Sequence, residues 1–265
     1  MSLIVQKFGG SSVRDTERLL RMAHIAKERR GEGYDVVVVL SAQGDTTDTL
    51  LEKAHELASA PDGRELEKGR VAVVAGFQGI DGHGDITTLG RGGSDTSAVA
   101  LAAALHADEL TIYTDVAGIF SSDPRICPDA VRRARISYDD MLLLARKGAQ
   151  VLHDRSVELA RRSGVAITVR SCEPGSGESV VSRVGEAPRI VGVTQKKNEK
   201  SALAAITAVG GALPDIASER AAVTALEKGG VSVYAVASGE RFLSLYVMKE
   251  DAERALRLAH SALIR

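Results

Sequence analysis

The amino-acid sequence predicts an α/β protein, a three-layer α/β/α sandwich followed by a small α+β domain. Strand-like and helix-like segments alternate along the first three quarters of the chain, and the strand-like segments include unbroken apolar runs such as 36–40. Strands of this kind are typically covered on both faces, which indicates a largely parallel sheet between two layers of helices. A change of pattern near residue 188 marks the start of the smaller domain.

Hydrophobic periodicity predicts the elements of the sandwich in order along the chain. Strands are expected at 3–6, 35–40, 71–75, 110–113 and 166–170. Helices are expected at 15–30, 47–59, 96–105, 138–147 and 151–163. Each glycine-rich or acidic motif of this part follows a strand. Because sheets of this class bind ligands beyond the carboxyl ends of their strands, we expect these motifs to line one edge of the sheet.

Proline, glycine and serine concentrate at 173–188, where helical periodicity is lost. We therefore place the domain boundary near Pro188, which gives a first domain of 1–187 and a second of 188–265. The second domain is typical of a small α+β sandwich. Its strands are expected at 189–194, 202–209, 231–237 and 242–248, and its helices at 214–228 and 250–263.

Composition and charge exclude several classes of function. Hydrophobic residues make up 44% of the 265-residue chain but aromatic residues only 3%, so the core must be aliphatic. The net charge is −1, which leaves no electrostatic footprint for nucleic acid or acidic membranes. Cys127 and Cys172 lack metal-ligand spacing and are interpreted as reduced packing residues. With no signal peptide and no apolar run of about 18 residues, we expect a cytoplasmic protein.

Lys7 closes the first apolar strand and leads into Phe8-Gly9-Gly10-Ser11-Ser12. Glycines let backbone N–H groups approach an oxyanion, and the lysine adds a mobile charge, so the segment has the features of a phosphate site. The alternative is a tight structural turn with a solvated lysine. The position of Lys7 between an apolar strand and two glycines favours the phosphate site.

Two further turns have anion-binding character. Leu89-Gly90-Arg91-Gly92-Gly93-Ser94-Asp95 precedes an alanine-rich helix, although Asp95 could simply cap that helix. The run 41–48 follows the second strand and opens a helix whose start could bind an anion. Ordinary capping by Asp45, Thr46 or Thr47 is the alternative there.

The sequence lacks the motifs of other common catalytic and ATP-binding sites. The six histidines lack metal-ligand spacing, no nucleophile elbow is present, and the P-loop signature is absent. Phosphoryl transfer needs little of this chemistry, because it depends on positioning and on cationic or amide groups around the moving phosphoryl.

Taken in order, and with the third polar cluster from Tyr113-Thr114-Asp115 to Asp123-Pro124-Arg125, these motifs resemble the aspartate kinases of the amino acid kinase family. The resemblance implies a sandwich of the amino acid kinase type and ATP-dependent phosphorylation of the carboxylate of a small amino acid, foremost L-aspartate to 4-phospho-L-aspartate. The run 210–215, with 231–233, looks like an ACT module, a fold that often senses amino acids; a packing or dimerisation domain is the alternative.

The same resemblance implies roles for individual residues. Lys7 and Asp95 would be catalytic, with Asp95 ordering the lysine. Mg²⁺ would be bound by ATP and would have no direct ligand from the protein. The residues expected to bind the acceptor are Ser11, Ser12, Phe77, Arg91, which would grip a carboxylate, and Ser94. Those expected to bind ATP are Lys7, Gly9, Gly10, Thr46, Thr114, Asp115, Asp123 and Arg125.

The chain departs from the family pattern in three places. The bridge 57–69 lacks the insert whose S-T-G-E glutamate binds the α-amino group of the substrate, and it offers only Glu65 and Glu67. Gln150 stands where the family often has lysine, and one ACT-like module follows where two are usual. These departures leave open a regulatory relative with weak or no activity, or a kinase for another small carboxylic acid. A homo-oligomer assembled partly through the second domain is expected, because a four-stranded sheet has open edges.

Overall fold

A computed structural model of the chain describes residues 2–41, 70–80, 82–83, 85–186 and 188–264. These residues form fifteen strands and six helices, together with 3₁₀ turns at Gly10–Val13 and Lys249–Asp251. The strands are β1 (Leu3–Phe8), β2 (Asp35–Leu40), β3 (Ala72–Ala75), β4 (Gln78–Ile80), β5 (Ile86–Thr88), β6 (Glu109–Thr114), β7 (Ile119–Phe120), β8 (Arg132–Arg133), β9 (Arg135–Ser137), β10 (Ile167–Ser171), β11 (Glu178–Ser182), β12 (Gly192–Lys197), β13 (Leu203–Val209), β14 (Ala235–Gly239) and β15 (Phe242–Met248). The helices are α1 (Thr16–Gly31), α2 (Gly93–Ala104), α3 (Tyr138–Lys147), α4 (Asp154–Ser163), α5 (Ile216–Lys228) and α6 (Ala252–Leu263).

The chain folds into two compact units that are not continuous in sequence. The first contains Met1–Gly118 and Arg155–Arg183, and the second contains Ile119–Asp154 and Val184–Arg265. The division into domains 1–187 and 188–265 stays a prediction. The two compact units have other bounds, with 119–154 in the second unit. No helix of the described residues is long and apolar enough to cross a membrane.

The sheet of the first unit confirms the predicted α/β class. Its strands lie in the order β3-β2-β1-β6-β10-β11, and all neighbours are parallel except β10 and β11. Ile4 and Phe8 of β1 pack in one hydrophobic cluster with Met22 and Ala26 of α1. Because side chains alternate along a strand, Lys7 lies on the opposite face, where α2 contacts β1. The sheet therefore has helices on both faces.

The parallel register brings the ends of three strands level. Phe8 of β1 pairs with Leu40 of β2 on one side and with Tyr113 of β6 on the other. Gly9, which follows β1, and Thr114, the last residue of β6, therefore lie at the same edge of the sheet. The expected shared edge is thus found for the turn after Lys7 and for Thr114. The motif 89–95 follows β5 instead, which pairs with β4 in a separate two-stranded sheet, and 42–48 lies outside the described residues.

The second unit contains a four-stranded antiparallel sheet in the order β12-β13-β15-β14. Helices α5 and α6 contact each other, and apolar residues of this sheet and both helices form one core. Cys127 is fully buried in that core, and Ile126 and Ala130 pack against it. The segment 119–154 is therefore part of the unit and not a surface excursion.

Several predicted elements are confirmed and three are corrected or untested. Strands 35–40 and 242–248 and helix 138–147 have the predicted bounds. The strand predicted at 231–237 is wrong in its first half, since β14 begins at Ala235. The stretch 173–188, for which no element was predicted, contains β11, which pairs with β10. The helix predicted at 47–59 lies outside the described residues.

Candidate active site

Lys7 and Asp95 form an ion pair at the carboxyl end of β1. Lys7 Nζ lies 2.6 Å from Asp95 Oδ1, and the two side chains are only 10% and 12% exposed. Lys7 is therefore not a solvated lysine. Asp95 does not cap α2 either, because the N-cap is Gly92 and no side chain caps that helix. Both alternatives from the sequence are thus excluded, and the two predicted catalytic residues touch.

The start of α2 adds backbone amides to this charge pair. Gly92 has a φ of 75°, a left-handed conformation that favours glycine, and it turns the chain directly into the helix. Among the described residues, nothing accepts a hydrogen bond from the amides of Ser94 and Asp95. Uncapped amides at a helix N-terminus carry partial positive charge and bind anions.

The turn after β1 lies against Lys7. The amide of Gly9 donates to Tyr113 O at 3.2 Å, and that of Ser12 donates to Gly9 O at 2.9 Å. A Cβ on Gly9 would lie 3.6 Å from Lys7 Nζ, so this backbone passes close to the ammonium group. The amides of Gly10 and Ser11 have no acceptor within the described part of the chain. The Gly9–Gly10 turn therefore fits the predicted phosphate cradle.

Phe77, one of the predicted acceptor residues, packs against the start of α2. Phe77 has a φ of 74°, which is unusual for a bulky residue and is typical of functional sites. Its amide donates to Ser97 Oγ at 3.1 Å, and its carbonyl accepts from the amide of Leu89 at 2.8 Å. A Cβ on Gly93 would lie 2.9 Å from both the Leu89 and the Phe77 side chains, so only glycine fits between them.

Arg91 and Ser94, two further predicted acceptor residues, lie on either side of the N-cap residue Gly92 of α2. Arg91 is exposed at the turn before α2, and its guanidinium has no ion pair or hydrogen bond with any described residue. Ser94 is buried, and a Cβ on Gly76 would lie 3.1 Å from the Ser94 Cβ. An available guanidinium beside an uncapped helix start can accept a carboxylate in a bidentate arrangement.

At the end of β6, Thr114 Oγ1 donates to Asp115 Oδ1 at 3.0 Å. The preceding Tyr113 stacks on Phe8, with ring centroids 4.5 Å apart. Burial raises the pKa of Tyr113 to about 12, so the phenol is neutral under ordinary conditions. This aromatic pair fixes the ends of β1 and β6 relative to each other, which holds the Gly9 turn beside Thr114.

In the second unit, Arg125 closes a tight turn on Asp123. Its Nε and Nη2 atoms donate to Asp123 Oδ1 and Oδ2 at 3.0 and 2.8 Å, and its backbone amide donates to Oδ1 at 3.0 Å. The hydrogen bond from the Arg125 side chain lowers the pKa of Asp123. These two predicted nucleotide residues therefore form one charged turn. Thr46 lies outside the described residues.

Three supporting residues were not singled out from the sequence. Arg18 Nη1 donates to Ser11 O at 3.0 Å and steadies the turn after β1. Arg155 Nη1 donates to Leu89 O at 3.0 Å and holds the turn that carries Arg91. Ser97 accepts from Phe77, and its position three residues after Ser94 on one helix face is the only signal that points to it. No cluster of three or more metal-binding side chains occurs among the described residues.

Comparisons with known proteins agree with this geometry. The Amino acid kinase family matches residues 2–65 and 63–171. Aspartokinase of Bacillus sp. (strain MGA3) is 43% identical over 230 residues, which cover 64% of this chain and 56% of that protein. Aspartokinase of Mycobacterium bovis is 40% identical over 281 residues, covering 82% and 65%. The chain thus spans less than two thirds of the length of these curated relatives.

Solved structures show the same fold. The aspartate kinase of Clostridium acetobutylicum superposes with a TM-score of 0.77 at 18% identity, covering 98% of this chain and all of that one. Aspartokinase III of E. coli in complex with aspartate and ADP gives a TM-score of 0.64 at 23% identity, covering 99% and 84%. From its motifs, its fold and the match over most of the first 171 residues, the chain belongs to the amino acid kinase family.

Proposed function

We propose that the chain is an ATP- and Mg²⁺-dependent carboxylate kinase whose acceptor is a small amino acid, foremost L-aspartate, with 4-phospho-L-aspartate as product. The observation that carries this proposal is the 2.6 Å pair of Lys7 and Asp95 beside the Gly9–Gly10 turn. The aspartokinase relatives at about 40% identity support it.

In this proposal Lys7 stabilises the charge that builds on the transferred phosphoryl group. Asp95 holds the Lys7 ammonium in place, so the cation is preorganised before the reaction begins. The amides of the Gly9–Gly10 turn and of the start of α2 add fixed partial positive charge. Mg²⁺, held by the nucleotide phosphates, would neutralise further charge there.

In this proposal, residues near the start of α2 and in the turn after β1 position the acceptor. Arg91 binds the carboxylate of the acceptor that does not react, and Phe77 and Ser94, with Ser11 and Ser12 from the turn after β1, shape the acceptor side. The nucleotide contacts come from Thr46, Thr114, Asp115, Asp123 and Arg125 together with Gly9 and Gly10.

A second acceptor class is favoured by one feature of the alignments. The alignment with the Mycobacterium bovis aspartokinase runs over 281 residues, more than the whole 265-residue chain, yet it covers only 82% of this chain. At several dozen positions of this alignment, therefore, only the relative has a residue. The S-T-G-E insert that the bridge 57–69 lacks would produce a length difference of this kind. A simple dicarboxylic acid, which needs no amino-group anchor, is therefore the alternative acceptor. The other alternative is a regulatory relative that binds a nucleotide or an amino acid and has weak or no kinase activity.

The C-terminal sheet supports a homo-oligomer. β14 lies at the edge of this sheet and pairs only with β15. Tyr234, just before it, is 60% exposed and Val236 within it is 41% exposed. An exposed, apolar edge strand is a surface for pairing with another strand, and a second copy of the chain would supply one. An amino-acid effector bound at this ACT-like sheet is part of the same proposal.

An acyl-phosphate assay with hydroxylamine tests the proposed function. L-aspartate, L-glutamate and succinate are each supplied with ATP and Mg²⁺. Hydroxamate is expected from L-aspartate, and the Lys7→Ala variant should form it more slowly, on the order of 10²-fold or more. Product from succinate alone would identify the alternative acceptor. No product with any acid, together with no rise in melting temperature on adding ATP and Mg²⁺, would contradict the kinase proposal.

A further inference from the structure

Ser121 ties the loop that carries Asp123 to three other segments of the second unit. Its backbone amide donates to Val131 O at 2.8 Å, and its carbonyl accepts from the amide of Val193 in β12 at 2.7 Å. Its hydroxyl oxygen accepts from the amide of Val131 at 2.9 Å and lies 2.9 Å from His260 Nε2 in α6. Ser121 and His260 are each only 1% exposed. The loop is therefore fixed at a buried point two residues before Asp123.

The two ring nitrogens of His260 face Ser121 and Asp129. The Ser121 oxygen has two acceptor sites and one hydrogen, so beside the bond from Val131 it can either donate to His260 Nε2 or accept from it. Nδ1 lies 3.6 Å from Asp129 Oδ1, and either tautomer keeps the 2.9 Å contact between Ser121 and Nε2. Burial in this position favours the neutral ring.

The Asp123 turn follows directly from this anchor. Asp123 O accepts from the amides of Ile126 and Cys127 at 3.0 and 2.8 Å, and its side chain is clamped by Arg125. Cys127, at the end of the turn, is fully buried in the core of the second unit. The turn is thus a closed unit held at one end by Ser121 and at the other by Cys127.

We propose that Ser121 and His260 are positioning residues for nucleotide binding: neutral His260 fixes the Ser121 hydroxyl, and Ser121 fixes the Asp123–Arg125 turn. Neither side chain needs to touch the nucleotide. This inference rests on the proposed function, because it takes Asp123 and Arg125 as nucleotide contacts. It extends the nucleotide site into α6, near the C-terminus, which no motif in the sequence indicates.

The test compares three variants. His260→Leu and Ser121→Ala remove a buried hydrogen-bond partner, and each is expected to raise the KM for ATP and the Kd for ADP about tenfold. The kcat and the KM for the acceptor should change by no more than about twofold, since Lys7 and Arg91 lie in the first unit. His260→Gln should restore near-normal values, because its amide oxygen can accept from the Ser121 hydroxyl. His24→Leu, which removes an exposed histidine of α1, is the matched control.

Hydrogen exchange separates the anchor from the proposed function. The amides of Arg125, Ile126 and Cys127 should exchange faster in His260→Leu than in the unmodified chain or in His260→Gln. If the unmodified chain binds ADP while exchange, Kd and KM stay unchanged in His260→Leu and Ser121→Ala, the inference is wrong. If exchange rises in these variants but the unmodified chain binds no nucleotide, the anchor stands and the proposed function is wrong. A loss of melting temperature alone would mark the cluster as structural and overturn the inference.

Discussion

Lys7 and Asp95 come from different elements, a strand and a helix, and their charged atoms lie 2.6 Å apart with little exposure to solvent. Each charge is compensated mainly by the other. Removal of one partner from such a pair leaves an unpaired, nearly buried charge and costs about 3–5 kcal/mol of stability in well-buried cases. The pair therefore contributes to the fold as well as to the proposed chemistry, and variants at these positions need a folding control.

The kinetic roles of Lys7 and Arg91 should separate. Lys7→Ala is expected to lower kcat on the order of 10²-fold or more, because the lysine acts on charge that develops in the transition state. Arg91→Ala is expected mainly to raise the KM for the acceptor, because the carboxylate it binds is present throughout the reaction. Steady-state kinetics with varied acceptor and ATP measure both effects. The reverse pattern would show that the two cations are wrongly assigned.

Gly93→Ala should damage the acceptor side. The new methyl group would lie 2.9 Å from the Leu89 and Phe77 side chains, so Phe77 has to move. We expect a rise in the KM for the acceptor of about tenfold and a loss of stability of about 1–3 kcal/mol. Gly31→Ala is the control, because nothing lies within 4 Å of its added Cβ. An unchanged KM for the acceptor in Gly93→Ala would show that Phe77 does not contribute to acceptor binding.

Charge on the open edge of the C-terminal sheet should disrupt assembly. Val236→Lys places a cation on β14, and a charged edge strand resists pairing with another strand. Light scattering at micromolar concentration should show an oligomer for the unmodified chain and a smaller species for the variant. A monomer without any substitution would contradict the proposed assembly, and an intact oligomer in Val236→Lys would move the interface elsewhere.

Stability should fall in mild acid because of His260. Burial, its largest influence, and Arg133 lower the pKa of His260 below 6.5, whereas Asp129 acts in the opposite direction. In the unfolded chain the ring takes up its proton near pH 6.5, before the folded chain does, so the stability from neutral His260 is present above that pH and is lost as the pH falls. Urea titrations at pH 7.5 and 5.5 should show a smaller loss in His260→Gln. Equal losses in both proteins would exclude His260 as the group responsible.

The first unit was largely predictable because its signals are local. The apolar strand before Lys7 and the glycines after it lie within a few residues of each other, and the α/β class and the shared edge follow from them. The contact between Lys7 and Asp95 was not predictable from the residues alone, because Asp95 also stands where a helix cap would. The alternation of β1 resolves this, since it turns Lys7 toward the face covered by α2.

The second unit was harder because its decisive contacts are non-local. Cys127 gives no sign in the sequence that it packs among residues near the C-terminus. β11 was missed because its five residues, Glu178–Ser182, give a weak pattern among prolines and glycines. Val231 and Val233 suggested that the strand predicted at 231–237 begins there. Val231 is instead buried in the core just after α5, and β14 begins only at Ala235.

The burial of Cys127 has a consequence for protein engineering. In a chimera that takes only 188–265 from a relative, Cys127, Ile126 and Ala130 of this chain would pack against side chains of the relative. Close packing tolerates such mismatches poorly. The unit of exchange is therefore discontinuous: 119–154 has to travel together with 184–265, and the Asp123–Arg125 turn travels with it.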